Sequence, residues 1–171
     1  MREILALSEV AAILDSMARD RDPQTSLRAV DALAQRIFGH KLFTVMRHLA
    51  GSSEVERIYS SNPAAYPVGG RKQKQDTRWG RIVLNEGTPF IARNEDELRA
   101  NFSDHELVLG LGIGSIMNIP VMFRGQCVGT MNVSGDAGQY GEEDLLPGRI
   151  LAGLIVPFLL RPESGPAGLD G

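Results

Sequence analysis

At 171 residues, 43% of them hydrophobic, the chain has the size and apolar content of one globular domain. Its formal net charge of -3 gives no reason to expect the basic face that sequence-independent binding to nucleic acid requires. A single cysteine rules out an internal disulfide, and the first residues lack a secretory signal, so we expect a reducing, cytoplasmic location. The longest nearly apolar run, residues 150–160, is too short to cross a membrane, which takes about 20 apolar residues.

The start of the chain predicts two amphipathic helices. Over residues 4–17 apolar side chains recur three or four positions apart, which gives the first helix one apolar stripe. Asp22 and Pro23 are typical of a helix cap and first turn. A second apolar series follows over residues 27–37, and Gly39 is expected to end that helix.

The pattern then changes to one that favours strands. Residues 41–60 are rich in β-branched and aromatic side chains on either side of a turn at 51–53, which predicts a hairpin. Residues 62–77 carry two prolines and two adjacent glycines without apolar periodicity, so we expect a long loop there. Long loops in compact domains are often functional or mobile.

Short elements are expected in the middle of the chain. Asn94 followed by Glu97 forms a capping-box pattern, in which each side chain satisfies a free amide at a helix start. Ser103 and Glu106 repeat that pattern. The predicted elements are a helix at 79–84 that Gly87 stops, a strand at 90–92, and helices at 96–100 and 104–109.

The last part of the chain predicts two strands and a helix. The strands occupy residues 114–136 and meet at a tight turn at Arg124 and Gly125. The sequence "QYGEEDLL" starts the final helix, because acidic residues in a first turn favour the positive end of the helix dipole. Pro157 is expected to kink that helix or end it early.

A tight turn also predicts which residues of the two strands face each other. In that register Met117 opposes Asn132, and Asn118 opposes Met131. The two asparagines would then lie on opposite faces of the sheet, with Thr130 on the face of Asn132. Only one asparagine would line a pocket directly, and the sequence leaves open which one.

The segment "SIMNIPVMFRGQCVGTMNVSG", followed by "YGEEDLL", resembles the GAF domain family. The helix-then-strand segment "GRIVLNEGTPFIA" is also similar to that family. The resemblance spans residues 22–160, preceded by a helix in residues 1–21. The matching positions are Ser115, Ile119, Pro120, Gly125, Val128, Gly129, Met131, Val133, Tyr140, Glu143 and Asp144.

The resemblance implies an α+β fold. It consists of a mostly antiparallel sheet of five or six strands, with terminal helices on one face and a pocket under short helices and loops on the other. We expect one GAF-like domain over residues 1–160 and a flexible tail at 161–171, because the tail is rich in glycine and proline.

The resemblance also implies a pocket between the sheet and residues 78–114. The candidate ligand-binding residues are Trp79, Phe102, His105, Met117, Thr130 and Asn132. Replacing Trp79 or Thr130 should therefore change ligand-induced thermal stabilisation more than replacing Arg57. For His105, an exposed position in the first turn of a helix is the alternative. The three histidines show no spacing typical of a metal site.

Three functional hypotheses follow from the resemblance. GAF domains are sensory modules that bind small molecules and often dimerise through terminal helices, so the first is a homodimeric regulatory domain that acts through a signalling partner. The second is an enzyme on the same fold, similar to free methionine sulfoxide reductases. Those enzymes depend on cysteines before the final strand pair, where residues 101–114 have none, so we interpret Cys127 as an inert strand residue. The third is a dimeric scaffold without a ligand.

Overall fold

The computed structural model describes residues 5–73 and 77–160. The expected tail at 161–171, the first residues of the predicted N-terminal helix and residues 74–76 of the expected loop lie outside the described residues. The helices are α1 (Leu7–Arg19), α2 (Pro23–Phe38), α3 (Arg78–Gly80), α4 (Glu95–Asn101), α5 (His105–Gly110) and α6 (Leu145–Leu159), and α3 continues as a π-helical turn, Arg81–Asn85. The strands are β1 (Leu42–Leu49), β2 (Glu54–Ser60), β3 (Arg71–Gln73), β4 (Phe90–Ala92), β5 (Ser115–Phe123) and β6 (Gln126–Gly135).

The six strands form one sheet in the order β3-β2-β1-β6-β5-β4, and every neighbouring pair is antiparallel. The expected α+β architecture is therefore confirmed. The difference from the sequence-based prediction is β3, which pairs with the start of β2 inside the segment expected to be a loop. Three polar residues carry little strand preference of their own, so this strand depends on its partner.

Helices α2 and α6 cover one face of the sheet and α1 packs on α2, so the terminal helices lie on one side as expected. The start of α2 shows the predicted cap, because Asp22 accepts a hydrogen bond from the backbone of Gln24 at 2.9 Å and Pro23 is its first residue. Gly39 ends the helix in the left-handed conformation, with φ at 61°. We call this side of the sheet the helix side and the opposite side the pocket side.

Helix α6 continues through Pro157 and ends at Leu159, so of the two alternatives expected at this proline, a kink or an early end, the early end is wrong. The guanidinium of Arg47 donates to the backbone oxygens of Phe158 at 2.9 Å and Leu159 at 3.3 Å. Those hydrogen bonds satisfy carbonyls that a helix C-terminus leaves without intrahelical partners. Across residues 5–73 and 77–160, we find no helix that is both long and apolar enough to cross a membrane.

One of the two predicted helix caps forms, and the other does not. Asn94 accepts a hydrogen bond from the backbone of Glu97 at 3.0 Å, as predicted for the start of α4. At α5 the residue before the helix is Asp104, so the prediction that Ser103 caps this helix is wrong. The carboxylate of Asp104 instead points to Lys72, to which it is bonded at 2.5 Å.

A β-bulge in β2 changes the face on which its side chains lie. Val45 pairs with Tyr59 and the next residue, Met46, pairs with Arg57, so Ile58 is an extra residue in β2. Tyr59 belongs to the helix-side core, whereas Arg57 turns to the pocket side. Simple alternation along β2 would have placed both residues on the same face.

A second bulge lies close to the β5–β6 turn. Met122 pairs with Cys127, as the predicted tight turn requires, but Val121 pairs with Gly129. Val128 is therefore the extra residue, and the register of the rest of the pair moves by one position. Gly129 lies so close to β1 that a Cβ built there would be 2.2 Å from the carbonyl oxygen of Met46.

The register shift corrects the prediction for the asparagines. Asn118 and Asn132 are directly opposite each other, on the pocket side, so the prediction that they lie on opposite faces is wrong. Met117 opposes Val133 instead, and both are fully buried in the helix-side core. The assignment of Met117 to the pocket was therefore also wrong, because it assumed an uninterrupted register.

Candidate functional site

A cavity of about 70 Å³ lies on the pocket side of the sheet. Strands β1, β2, β5 and β6 form its floor, and residues 62–73, α3 and the α4–α5 region cover it. The lining residues are Leu42, Thr44, Met46, Arg57, Tyr66, Lys72, Trp79, Phe102, Asp104, Val108, Ile116, Asn118, Asn132 and Ser134.

A chain of hydrogen bonds crosses the floor of the cavity. Trp79 Nε1 donates to Asn118 Oδ1 at 2.8 Å, and Asn118 Nδ2 donates to Asn132 Oδ1 at 2.7 Å. Asn132 Nδ2 then donates to Thr44 Oγ1 at 3.1 Å. Because an indole N–H can only donate, Trp79 fixes the orientation of both amides in this chain, which we call the amide chain.

The amide chain explains how two asparagines are buried between strands. Asn118 is 3% exposed and Asn132 is 6% exposed, and a buried amide without partners costs free energy of folding. Each satisfies the other, and Trp79 joins the chain from α3. The floor of the cavity is therefore polar, and its own hydrogen bonds hold it in place.

Asp104 fastens the cover of the cavity to the strand edge. Its Oδ2 is 2.5 Å from Lys72 Nζ on β3 and 3.3 Å from the hydroxyl of Tyr66. Burial and the neighbouring Asp104 carboxylate both raise the pKa of Tyr66, so this hydroxyl remains a neutral donor. The loop at 62–70, β3 and the start of α5 thus meet at one carboxylate.

Arg57 lies in the wall of the cavity and is 6% exposed. Its Nη1 donates to the carbonyl oxygen of Pro67 at 2.9 Å, and its guanidinium carbon lies 4.8 Å from the centre of the Tyr66 ring. Its buried Nε has no hydrogen-bond acceptor among the described residues. Burial lowers the pKa of Arg57, and Tyr66 and Asp104 partly offset this effect.

The remaining wall is apolar. Phe102 packs edge-to-face on Phe90, with ring centres 6.2 Å apart, and Val108 and Ile116 lie beside it in the same buried cluster. The cavity thus combines an amide floor, one basic wall and an apolar wall.

The structure brings together three of the six predicted ligand-binding residues. Trp79, Phe102 and Asn132 line the cavity. Thr130 is fully buried on the pocket side opposite Met46, but it does not line the cavity. His105 bonds back to the carbonyl oxygen of Phe102 through Nδ1 at 2.8 Å and is also absent from the lining.

Sequence-based reasoning missed several lining residues. From the sequence, Arg57 is only a comparison position outside the expected pocket, because no sequence signal reveals the bulge that turns it inward. Asn118 is a polar residue within a predicted strand, but the expected register pairs it with Met131 and places it on the face opposite Asn132. The second bulge changes this register and brings Asn118 opposite Asn132. Asp104 could have been found by its position between the cover helices, although its partners Lys72 and Tyr66 are distant in sequence.

Cys127 is 7% exposed, and burial raises its pKa to about 11. Its Sγ donates to the carbonyl oxygen of Gly129 at 3.2 Å. These properties are those of an unreactive thiol, because thiol chemistry needs an accessible thiolate. Within residues 5–73 and 77–160, no three histidine, cysteine or acidic side chains are grouped closely enough to hold a metal ion.

Known proteins provide a comparison for this geometry. The family model for the GAF domain matches residues 3–152. A comparison with curated protein sequences found no match.

Solved structures share the fold at low sequence identity. The GAF domain of a phosphoenolpyruvate-protein phosphotransferase from Coxiella burnetii is 15% identical, with a TM-score of 0.67 over 88% of this chain and 92% of that one. The corresponding Acinetobacter domain is also 15% identical, with a TM-score of 0.67 over 90% and 91%. The GAF domain of a two-component sensor histidine kinase from Bacillus halodurans is 12% identical, with a TM-score of 0.65 over 81% and 97%. By the family model and by its fold, the chain belongs to the GAF domain family.

Proposed function

We propose that this chain is a sensory domain that binds a small molecule in the cavity on the pocket side of its sheet. GAF domains are generally sensory and regulatory domains of signalling proteins. The observation that carries the proposal is the amide chain, in which Asn118 and Asn132 present an ordered polar floor to a cavity with an apolar wall. Such a combination of apolar surface with a few fixed polar groups is typical of ligand pockets.

Strand β5 connects the cavity on one face of the sheet to helix α6 on the other face. Asn118 faces the cavity, while its neighbours Met117 and Ile119 face α6 on the helix side. A Cβ built at Gly148 of α6 would lie only 3.2 Å from Ile119 and 3.8 Å from Met117, so the helix packs closely on this strand. A ligand that moves Asn118 would therefore shift the packing of α6, which is the route we infer for the signal.

We further infer that two copies associate through the terminal helices, and that a signalling protein reads the position of these helices. Leu7 of α1 is 87% exposed, and Leu146 and Ile150 on α6 are 70% and 42% exposed. Leu146 and Ile150 lie four residues apart on one face of α6, and exposed apolar side chains that adjoin one another favour association.

Native mass spectrometry of the purified protein tests the binding proposal. We expect a small molecule to remain bound, or a set of small metabolites to yield at least one that raises the melting temperature. Asn132→Leu should abolish binding, because it removes the floor amide, whereas Asn101→Leu on α4 should leave it intact. Failure of every compound to bind the wild-type protein would contradict the proposal.

Light scattering after size exclusion tests the proposed dimer. The double substitution Leu146→Glu and Ile150→Glu should convert a dimer to a monomer. Leu107→Glu, at a 46% exposed position on α5, is the matched control and should leave the dimer intact. A wild-type monomer at micromolar concentration would contradict the inference.

A further inference from the structure

Arg57 carries a positive charge that the described residues leave without a carboxylate partner. The side chain is 6% exposed, and its Nε has no acceptor among those residues. Moving a charge out of water is costly unless it is paired and hydrogen-bonded. A buried arginine that is not fully hydrogen-bonded is therefore an unusual feature, and Arg57 is one of the residues that line the cavity.

The nearest acidic side chain in the wall does not pair with this arginine. The Oδ2 atom of Asp104 accepts hydrogen bonds from Lys72 Nζ at 2.5 Å and from the Tyr66 hydroxyl at 3.3 Å. Arg57 forms no ion pair with any residue in the part of the chain that the structure describes. With Arg57 and Lys72 against the single carboxylate of Asp104, the described lining has one positive charge in excess.

The surroundings hold the guanidinium in place. The carbonyl oxygen of Pro67 fixes Nη1 at 2.9 Å, and the ring of Tyr66 packs 4.8 Å from the guanidinium carbon. The backbone of Arg57 is also fixed. Its carbonyl oxygen accepts from the amide of Gly69 at 2.7 Å, and its amide donates to the carbonyl oxygen of Gly70 at 3.0 Å. A fixed guanidinium loses little entropy when it binds a planar anion through two parallel hydrogen bonds.

The cavity also limits the size and charge of the ligand. Its volume of about 70 Å³ is far below the roughly 300 Å³ at which pockets for drug-sized ligands begin. A nucleotide is too large, and a polyanion would meet the Asp104 carboxylate with only one excess positive charge to balance it. The apolar wall of Leu42, Phe102 and Ile116 suits a short hydrocarbon chain.

We propose that the ligand is a short-chain monocarboxylate, whose carboxylate binds the guanidinium of Arg57 and whose hydrocarbon chain packs on Phe102 and Ile116. The proposal rests on the proposed function, because it names the ligand class of the same cavity. Asn132 supplies the floor beneath the ligand, and Arg57 supplies the charge.

Isothermal titration calorimetry with matched pairs of compounds tests the proposal. Acetate, propanoate and butanoate are compared with acetamide, propanamide and butanamide, which have the same shape without the charge. At least one carboxylate should bind ten-fold or more tightly than its amide, since charge-assisted hydrogen bonds are roughly twice as strong as neutral ones. Inorganic sulfate, which is tetrahedral and doubly charged, should bind more weakly than the best carboxylate.

Two arginine substitutions locate the effect. Arg57→Met should weaken carboxylate binding at least ten-fold and leave amide binding nearly unchanged. Arg71→Met is the matched control, because Arg71 lies on β3, pairs with Glu56 at 3.6 Å and does not line the cavity. It should retain full carboxylate binding. The comparison of acid with amide uses the wild-type protein alone, so it stands even if Arg57→Met fails to fold.

The outcomes separate this inference from the proposed function. Equal binding of acids and amides, lost in Asn132→Leu, would overturn the carboxylate assignment while supporting a small-molecule sensor. Carboxylate binding that survives Arg57→Met would also overturn the assignment. Absence of binding by every acid and amide would overturn it too, and a co-purified ligand of another class would then still support the sensor.

Discussion

At the scale of single residues, the pocket side of the sheet contains polar groups that hydrogen-bond to one another rather than to water. Asn118 is the central member, because it accepts from Trp79 and donates to Asn132. Removing it leaves a buried donor and a buried acceptor without partners, and each such group costs about 1–3 kcal/mol. The same side chains that would hold a ligand thus also stabilise the fold.

Asn118→Ala should therefore lower the free energy of unfolding by roughly 2–4 kcal/mol, measured by urea denaturation. Asn101→Ala is the control, since its amide is half-buried and makes one hydrogen bond, to the carbonyl oxygen of Glu97. It should cost about 1 kcal/mol or less. Similar losses in the two variants would show that the amide chain carries no special stability.

Gly129 is a second residue whose identity the structure explains. A Cβ there would lie 2.2 Å from the carbonyl oxygen of Met46 and 2.8 Å from Leu159, so β1 and β6 would have to move apart. Gly129→Ala should destabilise the protein by about 1–3 kcal/mol or more, as overpacking does. Calorimetry should show the lower melting temperature.

Gly153→Ala is the matched substitution for that comparison. Gly153 lies in α6 and is exposed, and no heavy atom lies within 4 Å of a Cβ built there. Alanine should be neutral or stabilise the helix by up to about 1 kcal/mol. If both glycine variants change the stability equally, close packing does not explain why residue 129 is glycine.

At the scale of elements, the cavity depends on the contact between its cover and the strand edge. Asp104 joins the start of α5 to Lys72 on β3 and to Tyr66 in the preceding loop. Strand β3 has only three residues and pairs with one neighbour, so its backbone hydrogen bonds give it limited stability of its own. Opening of the cover is therefore the local motion that would expose the cavity.

Asp104→Asn should speed amide hydrogen exchange in residues 62–73, because it removes the charge that holds Lys72. Exchange in β5 and β6 should be unchanged, since these strands lie in the centre of the sheet. Asp136→Asn, which removes a surface partner of Lys41 at 2.6 Å, is the control and should leave residues 62–73 as protected as in the wild type. Unchanged exchange in Asp104→Asn would show that the cover is held by other contacts.

At the scale of the whole molecule, two cores on opposite faces share one sheet. The helix-side core contains α1, α2 and α6, and the pocket-side core contains Trp79, Phe102 and Cys127. Because Cys127 is buried in the pocket-side core beside the β5–β6 turn, its thiol becomes accessible when this end of the strand pair opens. Its reactivity therefore reports on the opening of this end of the β5–β6 pair.

Iodoacetamide should alkylate native Cys127 slowly at pH 8, where a thiol with a pKa of about 11 is about one part in a thousand thiolate. Alkylation should become fast above the urea midpoint, as mass spectrometry would record.

The raised pKa of Cys127 also favours the neutral folded form, so its contribution to stability is complete below pH 9 and is lost as pH rises towards 11. In Cys127→Ala the loss of stability over this pH range should be smaller. Rapid alkylation of the native protein would contradict the burial argument.

Much of the fold follows from local sequence. The caps at Asp22 and Asn94, the strand Phe90–Ala92 and the turn at Arg124 and Gly125 all depend on residues within a few positions of one another. Helical and strand periodicities are likewise local, so the family and the chain order of the elements, apart from β3, could be predicted.

The tertiary structure alone decided which side chains meet in the cavity. One extra residue in each of two strands, Ile58 and Val128, reverses the faces of all residues beyond it. A bulge is stable because of how a strand pairs with its neighbour, and the sequence of one strand carries no clear sign of it. The buried charge of Arg57 and the pairing of Asn118 with Asn132 are consequences of those two shifts, so they became visible only when the sheet was assembled.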